Sequence, residues 1–273
     1  MRVIRPGDPA AFLELTAAYR AADPVRTNVI GSVATGVLQG RAYDAEHWWV
    51  VQDDGGSVVG AAIWTEPYRL LLAPMPAEAA VALAADVVGM PAVPPGVIGP
   101  EETVDVVVAA TGWTTEVHMR EHVLVLEEFA PSTGVPGHAR TLTDDDVDLA
   151  TEWMRQFSID AGALIADPRE AVVGRMANHR FWVVDGEPVA LASHAPLVGS
   201  ESGTVGRVGP VFTPAEHRRR GYGGAVTSAV VEHLLPLTTT VMLFTDAANP
   251  TSNGVYERLG FRQVADVVDL TIT

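Results

Sequence analysis

Three consecutive arginines, Arg218, Arg219 and Arg220, run directly into Gly221-Tyr222-Gly223-Gly224. Glycine lets a backbone approach a ligand closely. A helix opening at these glycines would present unpaired N–H groups at its positive end. Guanidinium groups beside it add charge and forked donors. The combination suits a phosphate, and a pyrophosphate is its natural ligand. The strand ahead of it reads Val208-Gly209-Pro210-Val211-Phe212-Thr213. Pro210 cannot donate to a ladder and Gly209 weakens a strand interior, so a bulge is expected there, freeing backbone groups for a ligand. Two common phosphate motifs fail. No Gly-Lys-Ser/Thr is present, and Val226 stands where a dinucleotide fingerprint needs a third glycine or alanine.

Composition narrows the chemistry further. All 18 basic residues of the 273 are arginine, and there is no cysteine. Disulfides, thiolate nucleophiles, Cys-ligated metals and a lysine Schiff base are therefore excluded, and no metal site is read from the sequence. The net charge of −16 argues against a nucleic-acid partner, which would need a basic face. Residues 207–262 depart from the acidic average, with six arginines against four acids. A locally positive segment in an acidic chain fits a specific anionic ligand, although a solvated arginine loop would look the same by charge alone. No run of about 18 apolar residues suggests a membrane span, and the start lacks the apolar stretch of a signal peptide, so a cytoplasmic protein is expected.

The elements that must position this loop can be read around it. Thr143 ahead of Asp144-Asp145-Asp146 caps a helix to about Ile159. Asp167-Pro168-Arg169-Glu170 starts a second helix. Residues 181–195 form a hairpin about Asp185-Gly186. A strand over about 204–213 precedes the Arg/Gly loop, and a helix follows to about Leu235, with His233 at the edge of its apolar face. Val241 to Phe244 suits a buried parallel strand. Asn249 and Pro250 open a last helix that Gly260 ends, and 261–273 closes as a strand. The N-terminal half repeats the hairpin at 48–62, about 133 residues earlier, which suggests an internal duplication. It also shows a helix over 77–88, a Pro/Gly-rich loop over 91–100, and apolar runs at 104–109 and 123–126 that could be strands or short helices. Residues 130–138 are the best linker candidate. The expected domains are 1–130 and 137–273.

Arg218-x-x-Gly221-x-Gly223 after a Val-x-Thr strand end resembles the acetyl-CoA motif of the GNAT N-acetyltransferase superfamily. Asn249 through Phe261 is similar to that family's Asn…Tyr-x-x-x-Gly-Phe element, at the expected distance. The resemblance implies an α/β fold, in which a mixed, mostly antiparallel sheet flanked by helices contains a splayed parallel strand pair. The N-terminal half would be a degenerate copy without the Arg/Gly loop, giving tandem GNAT-like folds.

For individual residues, the resemblance implies that the backbone of Val211, Phe212 and Thr213 holds the pantetheine arm of acetyl-CoA. Arg218, Arg219, Arg220, Gly221, Tyr222, Gly223 and Gly224 would cradle its pyrophosphate, and Asn249 and Ser252 would line the other side. Tyr256 is the implied general acid, since a departing thiolate needs a proton that a phenol can supply; a core aromatic is the alternative reading. The strand offers no glutamate as base. His194 is the nearest candidate, with a structural histidine preferred on residue type and a water relay as a third option. Phe157 and Asp160 could face the acceptor. The implied activity is acetyl transfer to a primary amine of a small molecule or peptide, with a homodimer compatible; a non-catalytic acyl-CoA-binding module is the alternative.

Overall fold

In this computed structural model, residues 1–201 and 203–273 are described, Ser200 for its backbone alone. The elements are β1 (Arg2–Ile4), α1 (Pro9–Leu15), α2 (Ala17–Ala22), α3 (Asn28–Leu38), β2 (Glu46–Gln52), β3 (Val58–Thr65), β4 (Leu70–Leu72), α4 (Ala77–Val88), β5 (Gly96–Gly99), α5 (Glu101–Thr111), β6 (Thr115–Leu126), β7 (His138–Thr141), α6 (Val147–Asp160), α7 (Pro168–Val173), β8 (Arg180–Val184), β9 (Glu187–His194), β10 (Val198–Ser200), β11 (Gly203–Phe212), α8 (Tyr222–Leu234), β12 (Thr240–Asp246), α9 (Pro250–Arg258) and β13 (Phe261–Ile272). No helix among the described residues is long and apolar enough to cross a membrane.

Two compact units are present. The first holds residues 1–123, 198–203 and 264–273, and the second 124–197 and 204–263. The units therefore exchange segments, where the sequence suggested contiguous halves. Both repeat one strand plan. In unit 1, β1, β2, β3 and β4 pair in turn and β4 runs parallel to β5. In unit 2, β7, β8, β9 and β11 pair in turn and β11 runs parallel to β12. In each unit a helix, α4 or α8, connects the parallel strands. This is the arrangement a crossover between parallel neighbours requires.

Local chemistry explains the starts of the helices of unit 2. The Thr143 side chain accepts from the Asp146 backbone N–H and the Asp146 carboxylate from the Thr143 backbone N–H, a capping box to which the Thr143 hydroxyl adds a bond to the same carboxylate. Arg140 donates to the same carboxylate at 2.5 and 2.8 Å, and with Thr143 it holds the Asp146 pKa down at about 2. Asp167 accepts from Glu170 N at 2.9 Å and Asn249 from Ser252 N at 3.1 Å, each with proline next in line. Helix α7 stops at Val173 and is followed by a 3₁₀ turn at Met176–Asn178. In the N-terminal half, the expected loop at 91–100 contains β5, the 104–109 run lies inside α5, and the 123–126 run belongs to β6.

Unit 2 has a core on each sheet face. Ala190, Ala192 and Val208 pack with Val226, Val230 and Leu234 of α8. Phe181, Leu191 and Phe212 pack with Trp153 and Met154 of α6. The β4–α4 connection of unit 1 carries Pro74 and Pro76, which have no N–H to offer an anion. Arg69 ties β4 to the terminal strand, donating to Leu270 O at 3.1 Å and Thr271 Oγ1 at 3.0 Å.

Candidate active site

The strands β11 and β12 pair from Val205↔Thr240 to Val208↔Leu243 and then part, although both continue. The cause lies in β11. Its register with β9 slips between Val208 and Val211, with Gly209 at φ 137°, a conformation that excludes side chains. The Ser193 hydroxyl donates to Gly209 O at 3.0 Å and pins the bulge from β9. On the other side of the opening, Asn253 holds the end of β12. Its Oδ1 accepts from Thr245 Oγ1 at 2.9 Å, and its Nδ2 donates to Asp246 O at 3.2 Å. The bulge was expected from Gly209 and Pro210. The parts played by Ser193 and Asn253 were not, because neither belongs to a recognisable pattern.

Arg218, Arg219 and Arg220 are all exposed beyond the end of β11. The backbone of Arg219 is left-handed at φ 63°, and so is that of Gly221, the α8 cap, at φ 84°. A non-glycine residue held there is uncommon. Alternating hands of this kind turn successive amides inward into an anion-binding nest, and here the nest leads into the free N–H groups of α8. Gly223 faces Thr213 closely; a Cβ would stand 3.4 Å from Thr213 Oγ1. Among the described residues, Arg219 and Arg220 have no ion-pair or hydrogen-bond partner for their side chains.

Not every expected residue takes the expected part. The Arg218 guanidinium is already engaged, donating to Thr213 O at 2.9 Å and Asp160 Oδ2 at 2.5 Å. It braces the loop against the end of α6, and its backbone alone belongs to the nest. Tyr222 is buried with the α8 core, so again only its backbone can reach a ligand. Phe212 is buried on the α6 face. Asn249 spends its side chain on the helix cap with Ser252. Asp160, considered for the acceptor side, is the partner of Arg218.

Tyr256 lies on α9 against the unit 2 core, edge-on to Phe261 at 6.1 Å. Burial pushes its phenol up to about 12. Its hydroxyl has no hydrogen-bond partner among the described residues. His194 sits on the α8 face of β9, 5.5 Å from the His233 ring and buried. Its Nδ1 donates to Ala195 O at 2.8 Å, which leaves Nε2 as the bare acceptor nitrogen. Burial lowers its basicity, with His233, Arg180 and Arg175 adding to the effect. At the end of the 3₁₀ turn that leads into β8, His179 is wholly buried. Its Nδ1 is bonded to Arg175 O at 2.9 Å and its pKa is lowered to about 4, chiefly by burial.

Residues 127–137, which take in most of the expected linker at 130–138, are fastened to unit 2. Glu127 N and Ala130 N donate to Gly260 O and Leu259 O at 3.0 and 3.1 Å. Ser132 N donates to Ser228 Oγ at 3.0 Å, and Pro136 O accepts from Trp182 Nε1 at 2.8 Å. The glycines of α8 admit this segment. A Cβ on Gly224 would stand 2.8 Å from Ser132 Oγ, and one on Gly221 would stand 3.0 Å from Val135 Cγ2.

A parted parallel pair, a bulge on one strand, an amide nest ending it and a tyrosine on the next helix now stand together. The plan is repeated in unit 1 without the nest. The chain has a tandem GNAT fold. A tandem GNAT protein from the clavulanic acid biosynthesis pathway superposes with a TM-score of 0.57 at 17% identity, over 99% of this chain and 98% of that one. A GNAT-family acetyltransferase from Colwellia psychrerythraea gives 0.67 at 9% identity over the whole of both chains. A GCN5-related N-acetyltransferase from Sphaerobacter thermophilus gives 0.62 at 16%, covering 98% and 94%. In sequence, the profile of the FR47-like protein family matches residues 197–268, which contain the nest, β12 and α9 of this GNAT fold. Comparison with curated protein sequences finds no match. At these identities the likeness concerns the fold; the residues carry the argument about function.

Proposed function

We infer that unit 2 binds acetyl-CoA and transfers its acetyl group to a primary amine. The observation that carries this reading is the amide nest of Arg219–Gly221 set at the mouth of the parted strands β11 and β12. A diphosphate fits that nest by charge and donor number. Beyond Val208 the edge of β11 that faced β12 is no longer paired with it, which leaves room for an extended amide-bearing arm, and no such nest forms among the described residues of unit 1. Acetyl-CoA supplies an activated thioester. The chain's part is to hold it, to stabilise the oxyanion formed by amine attack and to protonate the departing thiolate. The backbone N–H at Val211 is the donor for the oxyanion. Tyr256 delivers the proton; with its pKa raised by burial, it remains protonated over the whole physiological range.

No carboxylate stands on β11, and His194 is turned under α8 with depressed basicity. The amine's proton therefore leaves to solvent, or the amine arrives neutral. The same observation favours a second reading, an acyl-CoA-binding module without turnover. Calorimetry with acetyl-CoA, followed by thiol release across a panel of small-molecule and peptide amines, separates the two. Binding with release supports the enzyme, binding without release the module, and no affinity removes both.

A further inference from the structure

Helix α9 has little of its own to hold it in place. It is nine residues long and begins Pro250-Thr251-Ser252-Asn253-Gly254, a run of poor helix formers. None of its residues is fully buried, and Val255 and Tyr256 only edge onto the unit 2 core. Polar bonds to the end of β12 make up the difference, and most of them come from one side chain. Asn253 Oδ1 accepts from Thr245 Oγ1 at 2.9 Å, and Nδ2 donates toward Asp246 O at 3.2 Å and Ala247 O at 3.4 Å. The Asn249 N–H adds a bond to Asp246 O at 3.0 Å. Thr245 is buried and lies on the part of β12 that has left β11, beyond the last ladder pair at Leu243. Asn253 thus engages β12 where its ladder with β11 has ended, and fastens α9 to the strand at that point.

Tyr256 follows Asn253 by three residues, so the two are neighbours on one side of the helix. Its ring meets Phe261 edge-on at 6.1 Å, and its hydroxyl has no hydrogen-bond partner among the described residues. The hydroxyl is therefore placed by ring packing and by the backbone of α9, not by a bond of its own. We propose that Asn253, with Thr245 behind it, is a positioning residue: by tying α9 to the parted end of β12 it sets where the Tyr256 hydroxyl stands. The inference rests on the reading of Tyr256 as the acid in unit 2. A displacement of about 1 Å can cost about a hundredfold in rate, so this tie bears on proton delivery to the departing thiolate. It bears little on holding the carrier, because the nest at Arg219–Gly221 opens α8 and not α9.

The test combines kinetics with spectroscopy on the full chain. With the most active amine of the panel, Asn253→Ala should lower kcat for thiol release from acetyl-CoA about tenfold and leave the acetyl-CoA dissociation constant within about twofold. Thr245→Val removes one bond and keeps the shape, and should lower kcat by less. Thr245→Ser keeps the donor and should recover most of that loss. In a Tyr256→Phe background, Asn253→Ala should change kcat by less than about twofold, because the group it positions is gone. An equal loss in both backgrounds overturns the inference and leaves Tyr256 as the acid. A loss confined to acetyl-CoA affinity overturns it as well. A second readout needs no turnover. In protein isotope-enriched at tyrosine Cζ, the NMR spectrum of Tyr256→Phe identifies Tyr256 among the five tyrosines. At a pH of about 10.5, above the ordinary phenol value, Tyr256 should stay protonated in wild type. In Asn253→Ala it should move toward phenolate as the ring loses its burial. Equal protonation in the two proteins overturns the inference. If no amine releases thiol, the enzymatic reading falls separately and this comparison alone decides. Should Asn253→Ala fail to fold, Thr245→Val supplies the same comparisons.

Discussion

At the scale of single residues, the half-buried Tyr256 and the buried His179 have opposite uses. Burial raises the Tyr256 phenol to about 12, which suits an acid that must be protonated before each turnover. Tyr256→Phe should lower kcat for thiol release about a hundredfold, a usual worth of general acid catalysis, and should leave acetyl-CoA affinity nearly unchanged. An unaltered kcat removes the role. His179 is buried neutral at a pKa of about 4, against about 6.5 in the unfolded chain. Between those values the unfolded chain takes up a proton that the folded chain refuses, so stability rises with pH through the window and is lost on acidification. Between pH 7.5 and 5 this one group should cost about 2 kcal/mol. Urea unfolding at the two pH values measures it. His179→Phe, which removes the titration, should show a smaller acid loss than wild type; an equal loss rejects the assignment.

At the scale of elements, the site depends on close approach and braces. Connector and α8 meet at Gly224, which is buried with Ser132 Oγ in the space a side chain would need. Gly224→Val should destabilise unit 2 by about 1–3 kcal/mol, as overpacked contacts do, and should weaken acetyl-CoA binding by displacing the connector. A melting temperature equal to wild type argues against this packing. The ion pair from Arg218 to Asp160 links the nest to α6. Both side chains are half exposed, so the pair adds little stability, and its effect is on loop position. Asp160→Asn should raise the acetyl-CoA dissociation constant severalfold with unfolding unchanged. Helix caps at Thr143, Asp167 and Asn249 were legible in the sequence because each is a local pattern completed within four residues. Ser193, Asn253 and the Arg218–Asp160 pair were not, because the partners are 16, 8 and 58 residues apart or carry no periodic signal.

At the scale of the molecule, the exchanged segments make each compact unit depend on distant chain. Residues 264–273 are built into unit 1, where Val268 and Leu270 are buried with Trp49, Leu70 and Val97, and β13 pairs with β5. Removing residues 264–273 should expose that core and open sites within residues 1–123 to limited proteolysis. Full-length resistance after the deletion counts against the exchange.

By itself, the sequence determined the Arg/Gly loop that opens α8, the bulge, the three capped helices and the repetition of a hairpin. Each depends on residue type and short spacing: glycine where φ must be positive, proline where an N–H is missing, and carboxylates beside free helix amides. The tertiary structure alone decided what 127–137 does, where residues 264–273 lie and which arginines remain free. A Pro/Gly-rich segment reads as a linker because its composition reports low local preference, whereas its place over α8 comes from bonds to residues about 100 positions away. A closing strand can be read from its apolar residues, but its partner follows from pairing with β5, some 170 residues earlier. Charge is similar: three adjacent arginines look alike in sequence, and only the position of Asp160 in space separates Arg218, which braces, from Arg219 and Arg220, which remain available to an anion.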